Sequence, residues 1–214
     1  MGRREKILAE MGLAPIWRLR RGDSAENKPS GDGWIELKRA VSGCVSCGLH
    51  KTRTQTVFGV GDENADWMLI GEAPGAEEDR LGDPFVGQAG RLLDNMLTAI
   101  GLKRGENVYI ANVLKCRPPG NRNPQPEEVA KCTPHLLRQI ELVQPKLILT
   151  LGRFAAQTLL NTDASIASLR GKLHRYAGVP LIVTYHPAYL LRTLPDKAKA
   201  WEDLVFAKKT MASL

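Results

Sequence analysis

The sequence lacks long hydrophobic runs: no apolar stretch in its 214 residues approaches the roughly 18 residues that a membrane span requires. The first ten residues are charged, where a secretory signal would carry an apolar region. Internal repeats and low-complexity tracts are absent too. We therefore expect neither a membrane protein nor a secreted one, but a cytoplasmic globular chain long enough to bury one sizeable core.

Cysteine is scarce, with four residues in the chain. In a reducing compartment a disulfide framework is not expected, whereas metal ligation or simple burial is. Cys44 and Cys47 form a tight CxxC pair, but fifteen residues separate Cys116 from Cys132. Four thiolates can close either a tetrahedral zinc site or a 4Fe-4S cluster, and zinc ribbons more often carry two tight pairs. Four unrelated buried thiols are the third alternative.

Acidic residues are fewer than basic ones, 23 against 30, which leaves a formal net charge of +7. Such a balance favours an acidic partner such as nucleic acid. Residues 1–33 are rich in Arg and interrupted by Pro and Gly, so we predict a basic, loosely ordered N-terminal extension before a folded domain over residues 34–214. The apolar spacing of residues 11–19 is compatible with a short helix, although Pro15 disfavours it.

From residue 34 onward, short apolar runs alternate with segments of helical spacing, a pattern typical of an α/β domain. Because the predicted strands are only four or five residues long and are separated by helices, they favour a parallel sheet buried on both faces. The predicted strands cover residues 67–70, 108–112, 147–151 and 181–185. The predicted helices cover about residues 92–100, 126–144, 153–160 and 196–209.

In such sheets the functional groups gather on loops at the carboxyl ends of the strands. This rule directs attention to residues 71–75, 112–124, 152–153 and 186–192. A function of this protein should therefore be sought in these four loops.

Four separated segments carry a resemblance to a known family. They read GEAPGAEED at 71–79, GDPFVGQAGRLL at 82–93, NVLKCRPP at 112–119 and HPAYLLR at 186–192. Together with the cysteine spacing, they resemble the signature segments of family 4 uracil-DNA glycosylases, in the same order. The resemblance implies a three-layer α/β/α sandwich on a short, mainly parallel sheet, with a 4Fe-4S cluster held by the four cysteines. It also implies hydrolysis of the N-glycosidic bond of uracil in DNA, which leaves an abasic site.

The residues at the predicted pocket suit that chemistry. The side-chain amide of Asn112 can both donate to and accept from a uracil edge. Phe85 would stack on the ring, a contact worth about 1 to 3 kcal/mol. Its neighbours Pro84 and Val86 favour a place in the core, whereas the flanking Gly82 and Gly87 favour an exposed loop tip, and both placements stay open. His186 is predicted to donate a hydrogen bond to uracil O2, where negative charge develops, and such a donor can supply about 3 to 4 kcal/mol.

The group that orients the attacking water is predicted within the first loop. Several other uracil glycosylase families place Asp or Asn at its third position, where this chain has Ala73. Glu72, which directly follows the strand, is preferred to Glu77 as the water-orienting acid. The alternative is a structural role for Glu72, because a forming sugar cation does not need a strong base. Gly75 would let the backbone approach the substrate, and Gly71 belongs to the same predicted substrate-binding loop.

Uracil-containing DNA, single- or double-stranded, is the predicted partner of a monomeric enzyme acting at the nucleoid of a prokaryotic-type cell. A base inside a duplex must be flipped out. Leu190 and Leu191 are predicted to form a wedge loop, one inserting into the base stack and the other packing beneath, while Arg192 meets phosphate. Basic segments over residues 103–122 and 170–194 should contact the DNA backbone. The other predicted DNA contacts are Arg117, Gly152 and Arg153.

Two further functions stay open. A related subfamily binds uracil-DNA and becomes covalently trapped through a histidine on an inserted basic loop, but residues 116–132 contain no histidine. A non-catalytic iron-sulfur DNA-binding module, in which Ala73 reflects lost chemistry, is the alternative from another class. The absence of that histidine favours an enzyme that turns over.

Overall fold

Within residues 31–214, which the computed structural model describes, six strands form one sheet. In chain order the strands are β1 (Val60–Gly61), β2 (Trp67–Gly71), β3 (Val108–Asn112), β4 (Leu147–Leu151), β5 (His174–Tyr176) and β6 (Val179–Thr184). The central strands lie in the order β3-β2-β4-β6 and run parallel. This arrangement confirms the predicted short, mainly parallel sheet.

Two short strands that the sequence analysis missed form the edges of the sheet. Strand β1 pairs antiparallel with β3, and β5 pairs antiparallel with β6. They contain two and three residues, respectively, and none of these residues is fully buried. Segments this short are below the length at which an alternating pattern can be read from a sequence.

The helices follow the breaks and caps of the sequence. They are α1 (Gly31–Ser42), α2 (Ala76–Leu81), α3 (Gln88–Ala99), α4 (Pro126–Val143), α5 (Arg153–Leu160), α6 (Ile166–Leu169), α7 (Pro187–Leu190) and α8 (Asp196–Met211). Helix α4 begins with Pro126 and two glutamates, as a helix start favours, and it ends where Gln144 adopts the left-handed conformation.

The structure begins inside the predicted extension. Helix α1 starts at Gly31, before the boundary expected after residue 33. The predicted helix over residues 11–19 and the rest of the predicted loose extension lie outside the described residues.

Alternate residues of the central strands face opposite helical layers. Met68 and Ile70 pack toward α1, α4 and α5, whereas Trp67 and Leu69 pack toward α3 and α8. The strands are therefore buried on both faces, and the three-layer α/β/α sandwich is confirmed. No helix within residues 31–214 combines the length and apolarity that crossing a bilayer requires.

The strand register brings the predicted loops together. Gly71 lies opposite Asn112, and Leu151 lies opposite Thr184. The segments that follow these positions consequently leave the sheet from one edge. Glu72, Gly152 and His186 are thereby placed around a common opening.

Candidate active site

A cleft of about 460 Å³ opens at the carboxyl edge of the sheet. It contains seven of the predicted site residues, namely Glu72, Ala73, Gly75, Phe85, Asn112, His186 and Arg192. A second cavity of about 410 Å³ adjoins it and is lined by the predicted Gly152 and Arg153. The two cavities share Glu72, Asn123, His186 and Tyr189 as lining residues.

His186 is held in one tautomer by its own loop. It precedes α7, and its Nδ1 accepts a hydrogen bond of 3.1 Å from the backbone N–H of Ala188. Burial first, and then the charge of Arg192, lower the pKa of His186 to about 4, against an opposing effect of Glu78. The ring is therefore neutral at pH 7, and its proton resides on Nε2 because Nδ1 is an acceptor. This geometry leaves Nε2–H to donate into the cleft.

Two neighbours fix the position of the imidazole. The Phe85 ring stacks on it with centroids 5.5 Å apart and an interplanar angle of 29°. A Cβ atom at Gly152, where φ is +97°, would come within 2.8 Å of the His186 Cβ. Glycine at position 152 is thus required by both the backbone conformation and the space that His186 occupies.

Asn112 presents an unsatisfied acceptor. Its side chain is buried, and Oδ1 has no hydrogen-bond partner within the described part of the chain. A buried acceptor without a partner costs about 1 to 3 kcal/mol, so it signals a ligand group that belongs there. Gly71 makes room for this amide, because a Cβ at that position would lie 2.4 Å from Oδ1 and 2.6 Å from the Phe85 Cζ.

Of the two placements predicted for Phe85, the structure shows the buried one and not the exposed loop tip. Phe85 is 6% exposed and lines the cleft from within the core cluster beside α3. Its φ is +56°, a conformation that non-glycine residues rarely adopt. Arg104 holds the strained turn by donating to the carbonyl oxygens of Pro84 and Phe85 at 3.0 and 2.9 Å. The backbone also passes so close to α3 that a Cβ at Gly90 would lie 1.8 Å from the Phe85 oxygen.

The two predicted acids have different environments. Glu72 lines both cavities, and burial raises its pKa while Arg153 partly offsets this effect. Glu77 is exposed, forms an ion pair with Arg80 at 2.8 Å and lines neither cavity. The structure thus favours Glu72 for contact with a ligand. Ala73 lines the cleft and packs against the cluster that contains Cys116.

The sequence analysis missed Glu78, which joins the two loops of the cleft. Its carboxylate accepts hydrogen bonds from the backbone N–H groups of Gly75 at 3.1 Å, Val86 at 3.0 Å and Gly87 at 3.4 Å. An acid three residues after the N-cap of a helix, as Glu78 is after Gly75, is a recognisable sequence signal. The hydrogen bond of Glu78 with the backbone of Val86 cannot be read from the sequence. Glu78 therefore positions the first loop relative to the Phe85 loop.

The two leucines of the predicted wedge loop differ in their exposure to solvent. Leu190 is 1% exposed and packs in the apolar cluster with α3 and α8, so it lacks the exposure that insertion into DNA requires. Leu191 is 39% exposed. Arg192 lines the cleft, and Arg117 does not. The Nε of Arg117 donates a hydrogen bond to Asn121 at 2.7 Å. Leu191 is consequently the leucine available to a DNA stack.

Several cations of the two basic segments are already engaged, and the expectation that they contact phosphate is corrected for them. Lys115 is buried, and Arg104 holds the Phe85 turn. Arg170 pairs with Glu202 and Asp203 at 2.9 and 3.0 Å. Charge counting in the sequence cannot distinguish such internal partners from phosphate contacts.

All four cysteines line a separate cavity beside the cleft, as free thiols. Arg53 donates to the Cys116 sulfur at 3.0 Å, and the backbone N–H of Lys115 donates to the Cys132 sulfur at 3.3 Å. Among residues 31–214, no three His, Cys, Asp or Glu side chains are arranged to hold a single metal ion.

Lys115 connects the cysteine cavity to the cleft. Its Nζ is buried and donates to the main-chain oxygen of Asn112 at 2.7 Å and to Oε1 of Gln139 at 2.6 Å. Gln139 in turn donates to the main-chain oxygen of Phe58 at 2.8 Å. The backbone of Asn112 is therefore held by a residue whose own amide contacts a cysteine sulfur.

The family to which the chain belongs follows from comparison with known proteins. The model of the uracil DNA glycosylase superfamily matches residues 58–205, which include every residue named above as lining the cleft. The chain belongs to the uracil-DNA glycosylase superfamily.

Comparison with individual relatives indicates which type of uracil-DNA glycosylase the chain resembles. The chain is 49% identical over 164 residues to a Type-4 uracil-DNA glycosylase of Archaeoglobus fulgidus, covering 73% of this chain and 82% of that protein. It is 44% identical to a Type-4 uracil-DNA glycosylase of Thermotoga maritima, covering 80% of this chain and 91% of that protein. A Type-5 uracil-DNA glycosylase of Pyrobaculum aerophilum is 34% identical over 61% of this chain and 64% of that protein. The predicted family 4 resemblance is confirmed.

Proposed function

We propose that this protein is a DNA repair enzyme that hydrolyses the bond between uracil and deoxyribose in DNA, releasing uracil and leaving an abasic site. The observation that carries the proposal is the pair of groups facing one cleft: the neutral His186, which donates through Nε2–H, and the unpaired, buried Oδ1 of Asn112. His186 requires a hydrogen-bond acceptor on the ligand, and Oδ1 of Asn112 requires a donor. A uracil ring supplies both, with its carbonyl oxygens and its N3–H.

Uracil is distinguished from cytosine by this arrangement. At the edge that Asn112 reads, cytosine has a ring acceptor where uracil has a donor, and an amino group where uracil has an oxygen. Oδ1 would then face a lone pair and remain unpaired in a buried site, at a cost of about 1 to 3 kcal/mol. Phe85, buried at the wall of the cleft, supplies the stacking surface.

Bond cleavage moves an electron pair onto the base. The C1′–N1 bond breaks, uracil leaves as an anion, and the sugar becomes an oxocarbenium ion. Water then adds to C1′ and gives up a proton, which balances the anion. The Nε2–H of His186, aimed at O2, stabilises the developing negative charge by about 3 to 4 kcal/mol. His186→Ala should therefore lower the excision rate roughly a hundredfold or more while leaving DNA affinity nearly intact.

Glu72 is the group we assign to orienting the water. It lies where the two cavities meet, and its raised pKa indicates a poorly solvated carboxylate. Because the leaving uracil already drives formation of the sugar cation, orientation rather than strong basicity is sufficient. Glu72→Gln keeps the shape and some hydrogen bonding, so it should lose less activity than Glu72→Ala; equal losses would favour the structural role.

DNA contacts are assigned to the rim of the cleft. Leu191 is exposed beside Arg192, and Arg153 is exposed at the second cavity, so an apolar wedge and two cations surround the entrance. Phosphate contacts by Arg192 and Arg153 would make affinity fall steeply with salt. We assign the protein to act as a monomer on nucleoid DNA in the cytoplasm.

A 4Fe-4S cluster is the group we assign to the cysteine cavity. Its four thiol donors match the ligand set of such a cluster, which carries net negative charge that Arg53 and Lys115 can balance. When bound, a cluster would tie the Cys44–Cys47 loop to Cys116 and Cys132. Absorbance near 400 nm with about four irons and four sulfides per chain would support this assignment. Stoichiometric zinc in a colourless protein would replace it and leave the cleft untouched.

The deciding experiment uses an end-labelled oligonucleotide with one uracil, incubated with the metal-replete protein and then treated with hot alkali. A break at the uracil, absent when thymine or cytosine replaces it, is expected. Binding without breaks would establish the non-catalytic module instead. An SDS-resistant protein-DNA adduct would identify a covalently trapped binder.

A further inference from the structure

The second cavity is not explained by uracil recognition. It lies on the far side of the residues it shares with the cleft, and its own walls are Gly152, Arg153, Phe154, Ile166 and Tyr185. Its volume of about 410 Å³ falls within the range of small-ligand pockets. Three of its lining residues, including the shared Tyr189, are aromatic.

Tyr189 stands between the two cavities as a rigid aromatic wall. Its ring stacks on Tyr185 with centroids 5.3 Å apart and an interplanar angle of 16°. Its hydroxyl donates to Asp196 at 2.6 Å, which fixes the ring at the opposite end. A ring fixed in this way can stack on a planar ligand with little further loss of conformational freedom. Phe154 is half-buried on α5 and lines the same cavity.

The two cavities differ in how they can recognise a ligand. The cleft contains the unpaired Oδ1 of Asn112, which can read the identity of a base. In the described part of the chain, no side-chain nitrogen or oxygen of the second cavity is both buried and without a partner. Stacking on aromatic rings is tolerant of base identity, because every base has a π face.

Charge and continuity indicate a nucleotide of the same strand. Arg153 is exposed at the second cavity and can meet a phosphate. Glu72, Asn123, His186 and Tyr189 border both cavities, so a nucleotide adjoining a uracil in the cleft is within reach of the second one.

We propose that the second cavity receives the nucleobase next to the uracil on the same strand, stacked against Phe154 and Tyr189 without being read for identity. This inference rests on the proposed function. It predicts that excision depends on the presence of a neighbouring base on one side of the uracil, and only weakly on which base it is.

The test uses single-stranded oligonucleotides with one uracil, whose 5′ or 3′ neighbour is either adenine or an abasic tetrahydrofuran spacer. A spacer on one side should lower kcat/KM at least about fivefold, given the energy of base-aromatic stacking. In Phe154→Leu, the same spacer should lower kcat/KM clearly less than in the wild type, because one of the two stacking partners is already lost and only Tyr189 remains. Phe206→Leu, a partly buried phenylalanine of α8 that lines neither cavity, should retain the full dependence on the spacer.

Three results overturn the inference. One is a spacer that has no effect on either side, and another is an equal spacer penalty in Phe154→Leu and wild type. The third, which needs no variant, is 2-aminopurine fluorescence that stays unchanged at both neighbouring positions when the protein binds; quenching at one position supports stacking. Uracil release without a spacer penalty refutes this inference alone, whereas no release from any oligonucleotide refutes the proposed function as well.

Discussion

Excision should persist at pH values where an ordinary histidine is charged. Nδ1 of His186 accepts from the Ala188 N–H, so protonation of that nitrogen would place two donors against each other. Burial first, and then the charge of Arg192, lower the pKa of His186 to about 4, against an opposing effect of Glu78. The donor Nε2–H is present in the neutral ring. Glu72, whose pKa is raised, titrates in the same range, so the test is made in Glu72→Gln, where we expect the acid limb of the excision rate to have its midpoint near pH 4.

The size of this effect makes it measurable. At pH 5.5 a histidine with the ordinary pKa of about 6.5 is about 90% protonated, whereas one with a pKa of about 4 is about 3% protonated. The single-turnover rate at pH 5.5 should accordingly be close to that at pH 7. A loss of about eightfold over this interval is what an unperturbed histidine would give if protonation abolished activity.

The assay is single-turnover release of uracil from single-stranded DNA between pH 3.5 and 8, with circular dichroism at each pH to confirm that the fold persists. The ring of His186 can be titrated directly by NMR, with the His186→Asn variant used to assign its signals. A midpoint near 6.5 in either measurement would refute the assignment of a neutral donor.

The same pKa has a consequence for stability, whose sign follows from proton binding. Between pH 6.5 and about 4 the unfolded chain binds a proton at His186 that the folded chain does not. The contribution of His186 is thus fully present above pH 6.5 and is lost as the pH falls toward 4, by about 3 kcal/mol in total. In His186→Asn, this part of the acid dependence of unfolding should disappear.

Four further predictions concern other residues of the cleft and its surroundings. Asn112→Asp should weaken discrimination of uracil from cytosine in excision assays, since a carboxylate lacks the donor of the amide; wild-type selectivity would show that another group reads the base. Leu190→Ala should lower the free energy of unfolding by about 2 to 5 kcal/mol in denaturant titrations, whereas Leu191→Ala should change it by less than about 0.5 kcal/mol and reduce excision from duplex DNA; the reverse pattern would contradict the assigned wedge. Gly152→Ala should lower both the melting temperature and kcat, because its Cβ meets His186 at a positive φ; an unchanged kcat would show that the His186 position tolerates the added methyl. Lys115→Met should raise KM for uracil-DNA by removing the hydrogen bond to the Asn112 backbone, with rescue by Lys115→Arg; a loss of stability with unchanged KM would limit Lys115 to packing.

The fold and the cleft could be largely predicted because they depend on local patterns. Central strands such as β2 are continuous apolar runs that end at glycine or polar residues, and parallel pairing brings their carboxyl ends to one edge. The residues immediately after those ends, including Glu72 and His186, are therefore neighbours in space. The short edge strand β5 was not predicted, because its three partly exposed residues are too few to show the alternating hydrophobic pattern of a strand.

The errors arise where distant segments decide the environment. The glycines beside Phe85 suggested an exposed tip, but Arg104, nineteen residues away, and the close approach of Gly90 draw this loop into the core. Lys115 was counted among the phosphate contacts, because its buried partners Asn112 and Gln139 are visible only after folding. Side-chain identity alone does not show whether a cation faces water, DNA or another part of the protein.

The pairing of Gly71 with Asn112 and of Leu151 with Thr184 makes uracil release a stringent reporter of correct sheet assembly. A slip of one residue between neighbouring strands would turn every side chain on one of them to the opposite layer. The amide of Asn112 and the imidazole of His186 would then no longer converge, even in a compact state with normal helix content. During refolding, activity should therefore recover later than the circular dichroism signal of the helices. It should recover together with the native register of the strands.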